Sequence, residues 1–247
     1  MRKHALISLG LFLGIFSVSA IPVRASIATV GKTGVVVVNV LSAEDDGVGG
    51  SQAESIKVSK SSVEMGEADV PISLFRKDNK YLLNIAGKNG EKSFDVTGYQ
   101  DSILEIEERP SVKKLSISLS GNQFVIEQEG IKARTYFQIN VEPKNSKITI
   151  LTPTGYKFLT MLPWDAVDVL IRSKSITALL SDKTVDISED VDGNLFYMIN
   201  GIKQIGIKDV FMYDAPVSAK ISVVNGEVLE VNQPIWLKLL SLFTVQT

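Results

Sequence analysis

Ile131, Ala133, Thr135, Phe137, Ile139 and Val141 hold a period of two for eleven residues. In extended backbone, alternate side chains fall on one face, so this spacing predicts a strand with one face turned to a core. Leu115, Ile117 and Leu119 repeat the pattern against Ser116, Ser118 and Ser120. Gly121-Asn122 and Glu129-Gly130 separate these runs, and Pro143-Lys144-Asn145-Ser146 follows them. Such short turn signals between alternating runs predict an antiparallel meander.

The same reading extends in both directions. Ile56 and Val58 alternate with Lys57 and Ser59; then come Ile72 to Phe75, Tyr81 to Ile85, Phe94 to Val96 and Ile103 to Ile106. Asn89-Gly90 is expected to turn a hairpin, because both residue types tolerate positive φ. Lys147 to Leu151 and Tyr156 to Met161 form the next pair around Thr152-Pro153-Thr154-Gly155. Pro163 then opens the one helical pattern, since proline fits a first turn. Asp165 places negative charge near the positive helix end. Ala166, Val167, Leu170 and Ile171 share one side of it, and Asp168, Arg172 and Lys174 the other. After Ser173 the pattern returns to strands, with hairpin turns expected at Asp192-Gly193 and Asn225-Gly226. The fold class is therefore mainly β with minor α: antiparallel meander or sandwich-like sheets, followed by a helix-plus-antiparallel-sheet module.

The N-terminus addresses compartment. Met1-Arg2-Lys3-His4 is basic, Ala5 to Ile21 is apolar but for three serines, and small residues follow at Val18-Ser19-Ala20 and Val23-Arg24-Ala25. That is the layout of a secretory signal peptide. Cleavage is expected after Ala25, with Ala20 as the alternative site and an uncleaved anchor as the alternative role. Loss of 1–25 removes Arg2, Lys3, Arg24 and the one histidine, His4. The 26 basic residues fall to 23 against 28 acidic, a formal charge of −5. With no long basic block, nucleic acid is not an expected partner. A mature chain without His or Cys has no Ser-His-Asp or Cys-His catalysis, no imidazole metal ligand and no disulfide. No cofactor motif is present.

The division into segments is 1–25, signal peptide or anchor; 26–54, apolar strand and Gly-rich acidic linker; 55–161, antiparallel β domain; 162–234, helix-plus-sheet domain; 235–247, apolar tail. Val35, Val36, Val37 and Val38 belong to a nearly continuous β-prone run. An ordinary strand of its own domain is the expectation, and a donor strand for a partner's sheet edge the alternative. Ile235 to Val245 is apolar but for Lys238, Ser241 and Thr244 and, at eleven residues, too short to span a bilayer, which takes about 20. It reads either as a final helix on the sheet or as an interfacial anchor with Trp236 at headgroup level. The candidate partner or membrane contacts are thus Val35, Val36, Val37, Val38, Trp236, Leu239, Leu240 and Phe243. Two acidic stretches, Glu44-Asp45-Asp46 and Asp190-Val191-Asp192-Gly193-Asn194, lack the spacing of a Ca²⁺ loop and read as solvated charge and as a turn.

From Leu162 to Val231 the order is helix then strands. Asn194-Leu195-Phe196-Tyr197-Met198-Ile199-Asn200-Gly201 enters a central hairpin, and Val223-Val224-Asn225-Gly226-Glu227-Val228 forms the closing one. This resembles a PepSY-type domain, the small module of bacterial peptidase propeptides and other exported proteins. Leu195-Phe196-Tyr197 stands at its aromatic strand, and the segment Ile202 to Pro216 is longer than its pattern. The preceding meander, with Thr135-Tyr136-Phe137 and Leu151-Thr152-Pro153-Thr154-Gly155, resembles exported bacterial β-rich proteins of no assigned activity. The resemblance implies a non-catalytic binding or inhibitory module, with no catalytic residues to carry over. The expected function is an exported, non-catalytic envelope protein that binds or tethers a partner, itself an envelope or exported protein. Its place is extracytoplasmic, secreted or membrane-associated. The alternative is an inhibitor or chaperone of an exported peptidase. A carboxylate hydrolase is a third reading, for which no pair stands out among 28 acids. Ser173-Lys174 are adjacent without a nucleophile motif.

Overall fold

The computed structural model describes residues 26–40, 58–65, 70–87, 90–110, 113–180, 182–207 and 211–237, with backbone alone at 40, 58–65, 207 and 211. The chain alternates between two sheets. β1 (Ala28–Val30), β2 (Val36–Val40) and β3 (Val58–Met65) enter a large sheet. β4 (Ile72–Lys77), β5 (Lys80–Gly87) and β6 (Gly90–Asp95) enter a small one. β7 (Ser102–Ile106), β8 (Leu115–Ser120), β9 (Gln123–Gln128) and β10 (Ile131–Thr135) return to the large sheet. β11 (Gln138–Glu142), β12 (Lys147–Thr152) and β13 (Gly155–Phe158) return to the small. After α1 (Pro163–Arg172), β14 (Ala178–Leu179), β15 (Thr184–Glu189), β16 (Leu195–Ile207), β17 (Phe211–Ser222) and β18 (Val228–Asn232) complete the large sheet.

Across the large sheet the order is β18-β17-β16-β15-β10-β9-β8-β7-β1-β2-β3, with β14 beside β16; across the small sheet it is β13-β12-β11-β4-β5-β6. All pairs are antiparallel except β1 with β7 and β10 with β15. The two four-stranded meanders β7–β10 and β15–β18 are thus joined in parallel. One hydrophobic core runs between the sheets, and Tyr81 of β5 meets Phe124 of β9 edge-on at 5.5 Å across it. Hydrogen bonds and core both cross residues 54/55 and 161/162, where the sequence was divided: β1 pairs with β7, and β10 with β15.

Several turns follow their residue types. Asp78 and Asn79, at φ 49° and 63°, link Lys77 to Lys80, and Glu129-Gly130, at φ 51° and 78°, link Gln128 to Ile131. Other expectations shift. Gly90 is not a turn residue but the first of β6, paired with Gly87. The eleven-residue run from Ile131 to Val141 is two strands, not one. Thr135 closes β10, its hydroxyl accepts the N–H of Phe137, and β11 begins in the other sheet. Both sheets face one core, so the inward period continues around this corner.

The helix forms where proline and Asp165 predicted it. Leu162, its N-cap, supplies no side-chain bond; instead the Trp164 N–H donates to Oε1 of Gln128, a buried residue of β9, at 3.0 Å. Ala166, Val167 and Leu170 are buried against β9, β10 and β16, while Ile171, expected on the same side, is exposed. Lys174 lies past the helix end at φ 54°, in the left-handed position that closes a helix C-terminus. Tyr197, wholly buried, donates its hydroxyl to the Met161 carbonyl at 2.8 Å and ties β16 to the segment entering the helix.

Candidate functional site

Serines on the wet face of β8 lead to the candidate site. β8 buries Leu115 and Ile117 and turns Ser116 and Ser118 outward. Two-residue turns then set the register: Ser120 faces Gln123, and Gln128 faces Ile131. Pairings on from Ser116 give the row Glu105–Ser116–Glu127–Lys132–Thr184 across β7, β8, β9, β10 and β15. One step along, pairings from Ser102 give Ser118–Val125–Arg134–Asp186–Met198–Lys220–Glu230. The β7–β15 part of these rows floors an open groove of about 790 Å³ on the outer face of the large sheet. Gln100, Asp101, Glu108, Lys114, Glu129 and Asp182 line its sides.

Charge in the groove is uneven. Its lining carries six carboxylates and three basic side chains. Arg134 is already paired, donating twice to Asp186 at 2.8 and 3.1 Å, and that hydrogen bonding raises its pKa. Glu129 pairs with Lys113 at 3.5 Å, and Asp182 accepts the Thr184 N–H. Glu105, Glu127 and Lys132 have no side-chain hydrogen bond or ion pair among the described residues, although Glu127 and Lys132 stand directly opposite one another. Two carboxylates and one ammonium on rigid strands, with three β8 hydroxyls beside them, can bind a polar chain of excess positive charge. Among the described residues, no three or more Asp, Glu, His or Cys side chains are grouped to hold a metal ion.

The residues singled out from sequence fall elsewhere. Val36 and Val38 are buried in the core, Val35 and Val37 are half-buried, and β2 is paired on both sides, by β1 and β3. Trp236 stands near the other end of the large sheet, half-exposed, edge-on to Tyr213 of β17 at 5.1 Å. The structure therefore does not bring the valines and Trp236 into one site. Leu239, Leu240 and Phe243 lie outside the described residues, as do 1–25 and Glu44-Asp45-Asp46. Asp192-Gly193 belongs to a five-residue loop rather than a two-residue turn. The Asp190 carboxylate accepts the N–H groups of Asp192 and Asn194 and the Asn194 amide, which holds its pKa below the ordinary value. Ser173 donates to the Leu170 carbonyl, a helix-end contact.

Sequence reasoning found the Ser116-Ser118-Ser120 face but not the groove, whose floor comes from five strands. The signal for its central part was present: two-residue turns on both sides of β9 already align Ser116, Glu127 and Lys132. No helix among the described residues is long and apolar enough to cross a membrane. No protein-family model, curated protein or solved structure matches this chain.

Proposed function

We propose that this is an exported, non-catalytic protein of the cell envelope that binds a basic, polar segment of a partner along the outer face of its large sheet. The observation that carries the reading is the row Glu105–Ser116–Glu127–Lys132: fixed by strand register, set in a groove, and without internal ion pairs. An acidic excess in the groove adds to the −5 charge expected of the chain after cleavage at Ala25. Complementary charge would speed encounter and set specificity more than it deepens affinity. The test is titration of the whole protein with an oligolysine and an oligoglutamate peptide. Binding of oligolysine, weakened by salt and by Glu105→Gln with Glu127→Gln, is the expected result. Equal binding of both peptides, no binding, or an unaffected double variant would overturn the reading. Export itself is checked by N-terminal sequencing of the envelope-fraction protein, with Ser26 as the expected first residue.

A second reading rests on a different feature. α1 followed by the antiparallel run β15–β18 has the order of a PepSY-like module, and β18 ends the large sheet with its outer side unpaired among the described residues. An edge of that kind can accept an added strand from an exported peptidase. Slowed peptidase turnover in the presence of the whole protein, relieved by proline at Leu229 or Val231, would support it; unaffected turnover would remove it.

A further inference from the structure

Beyond the groove, the far end of the β16–β17 hairpin carries exposed apolar side chains. β14 leaves β16 at Ile202, and β18 joins β17 only at Ser218–Ile221. From Lys203–Ala215 to Ile207–Phe211 the two strands have no third strand beside them among the described residues; the Gln204 N–H donates to the Thr177 hydroxyl. A two-stranded ribbon is marginal in water without something packed on it. Here Met212 is 78% exposed and Tyr213 54%. The helical turn at 235–237 comes to the same place, with Ile235 77% exposed and Trp236 in edge contact with Tyr213. Among the described residues, neither the Tyr213 hydroxyl nor the Trp236 indole N–H has a hydrogen-bond partner.

We infer that this ribbon end and the 235–237 turn together form a surface that seats on a lipid bilayer at headgroup depth. Three observations favour lipid over another protein. Paired Tyr and Trp rings with free polar tips suit a boundary between water and hydrocarbon. The chain leaves this patch through Leu237, and Leu237 to Val245 carries one charge, Lys238. That stretch is too short to cross a membrane but apolar enough to add to a surface contact. Finally, Lys203, Lys208 and Lys238 stand against Asp209 and Asp214 in the sequence of the two segments, a near-neutral balance that needs no anionic partner. Contact should therefore be as strong on zwitterionic as on anionic vesicles, and insensitive to salt.

Ala5 to Ile21 is itself apolar, so vesicle binding of the whole chain is not diagnostic by itself. With Trp164→Phe, Trp236 is the one remaining tryptophan, and its emission reports this surface alone. The test adds phosphatidylcholine vesicles brominated either near the headgroup or at the chain end. The expected result is a blue shift, stronger quenching by the headgroup-proximal bromines, and severalfold weaker quenching in the Met212→Ser, Tyr213→Ser variant. Trp236 emission unchanged by vesicles, with or without binding of the chain, would overturn the inference. So would lipid-free emission that is already blue and shielded from iodide, the sign that residues 238–247 or a second copy cover the patch.

Discussion

The meanders β7–β10 and β15–β18 have the same construction, four antiparallel strands in one sheet, yet their outer faces differ. Over β15–β18 two ion pairs lie within the fold: Asp186 holds Arg134 of the adjoining β10, and Lys220 meets Glu230 at 2.7 Å and lies 5.5 Å from the Phe196 ring. Over β7–β10, Glu105, Glu127 and Lys132 are not paired with one another. Charged side chains that the fold leaves without partners, on strands too rigid to rearrange, are those available to a ligand. The comparison thus separates charge used to register the sheet from charge presented outward.

The largest effect should come from the inner face, which both halves share. Ile117, fully buried behind the Ser116 and Ser118 face, should lose about 2–5 kcal/mol on change to alanine, from lost transfer energy plus a cavity. Ser116→Ala, one residue away and facing out, should leave stability within about 0.5 kcal/mol while weakening oligolysine binding. Urea denaturation measures both; a comparable loss from Ser116→Ala would mean the groove face is structural.

Tyr197→Phe should cost about 1–3 kcal/mol, because it removes the donor of the part-buried Met161 carbonyl beside the wholly buried ring. Burial, and secondarily the charge of Asp165, pushes the Tyr197 hydroxyl well above its ordinary pKa, so it remains a donor through the accessible pH range. Loss of the bond should loosen the start of α1 over β9 and β16 while leaving the β8–β9 turn unchanged. Amide shifts around 163–172 would report it; an unaltered helix would deny this bond its part in seating α1.

Smaller again, Asp186→Ala should cost about 0.2–1 kcal/mol: the pair is bidentate, but its side chains are 39% and 37% exposed and water screens them. Glu127→Gln and Lys132→Gln should change stability by no more than about 0.5 kcal/mol and act on binding alone. A stability loss at Glu127 matching that at Asp186 would erase the distinction between the two faces.

Much of this architecture was legible residue by residue. Glu129-Gly130, Pro163 and the Ser116-Ser118-Ser120 alternation each act within a few residues, where local sterics decide the outcome. The corner at Thr135–Phe137 was not legible, because an inward period of two is the same whether the chain continues in one sheet or turns into the facing one. The β10–β15 parallel pairing joins residues about fifty positions apart through no turn signal, so the complete groove row could not be assembled. The segment Ile202 to Pro216 was read only as longer than the PepSY pattern; in the structure most of it is a ribbon in which β16 and β17 pair from Lys203–Ala215 to Ile207–Phe211. Trp236 was marked by its side-chain chemistry, but its partner Tyr213 comes from β17, more than twenty positions earlier.

The smallest effect concerns acid, and it belongs to the β15–β18 half. Glu189 accepts the hydroxyls of Thr152 and Thr154, bonds that fasten the β12–β13 turn to β15 and hold its pKa below 4.5. Asp190, beside it, is held below 3.8, mainly by the Asn194 N–H. A carboxylate whose pKa is lowered by folding contributes stability above its unfolded value, and that contribution is lost as pH falls through the folded value. Both residues are only half-buried, so the change should be slight and confined to acid, below the ordinary values of 4.5 and 3.8. Carboxyl NMR titration should give midpoints below those values for both, and thermal unfolding of the Glu189→Gln, Asp190→Asn variant should respond less to acid than the parent. Midpoints at or above the ordinary values would show that this corner is not anchored through its carboxylates. The pairing of charge within the β15–β18 half would then rest on Arg134–Asp186 and Lys220–Glu230 alone.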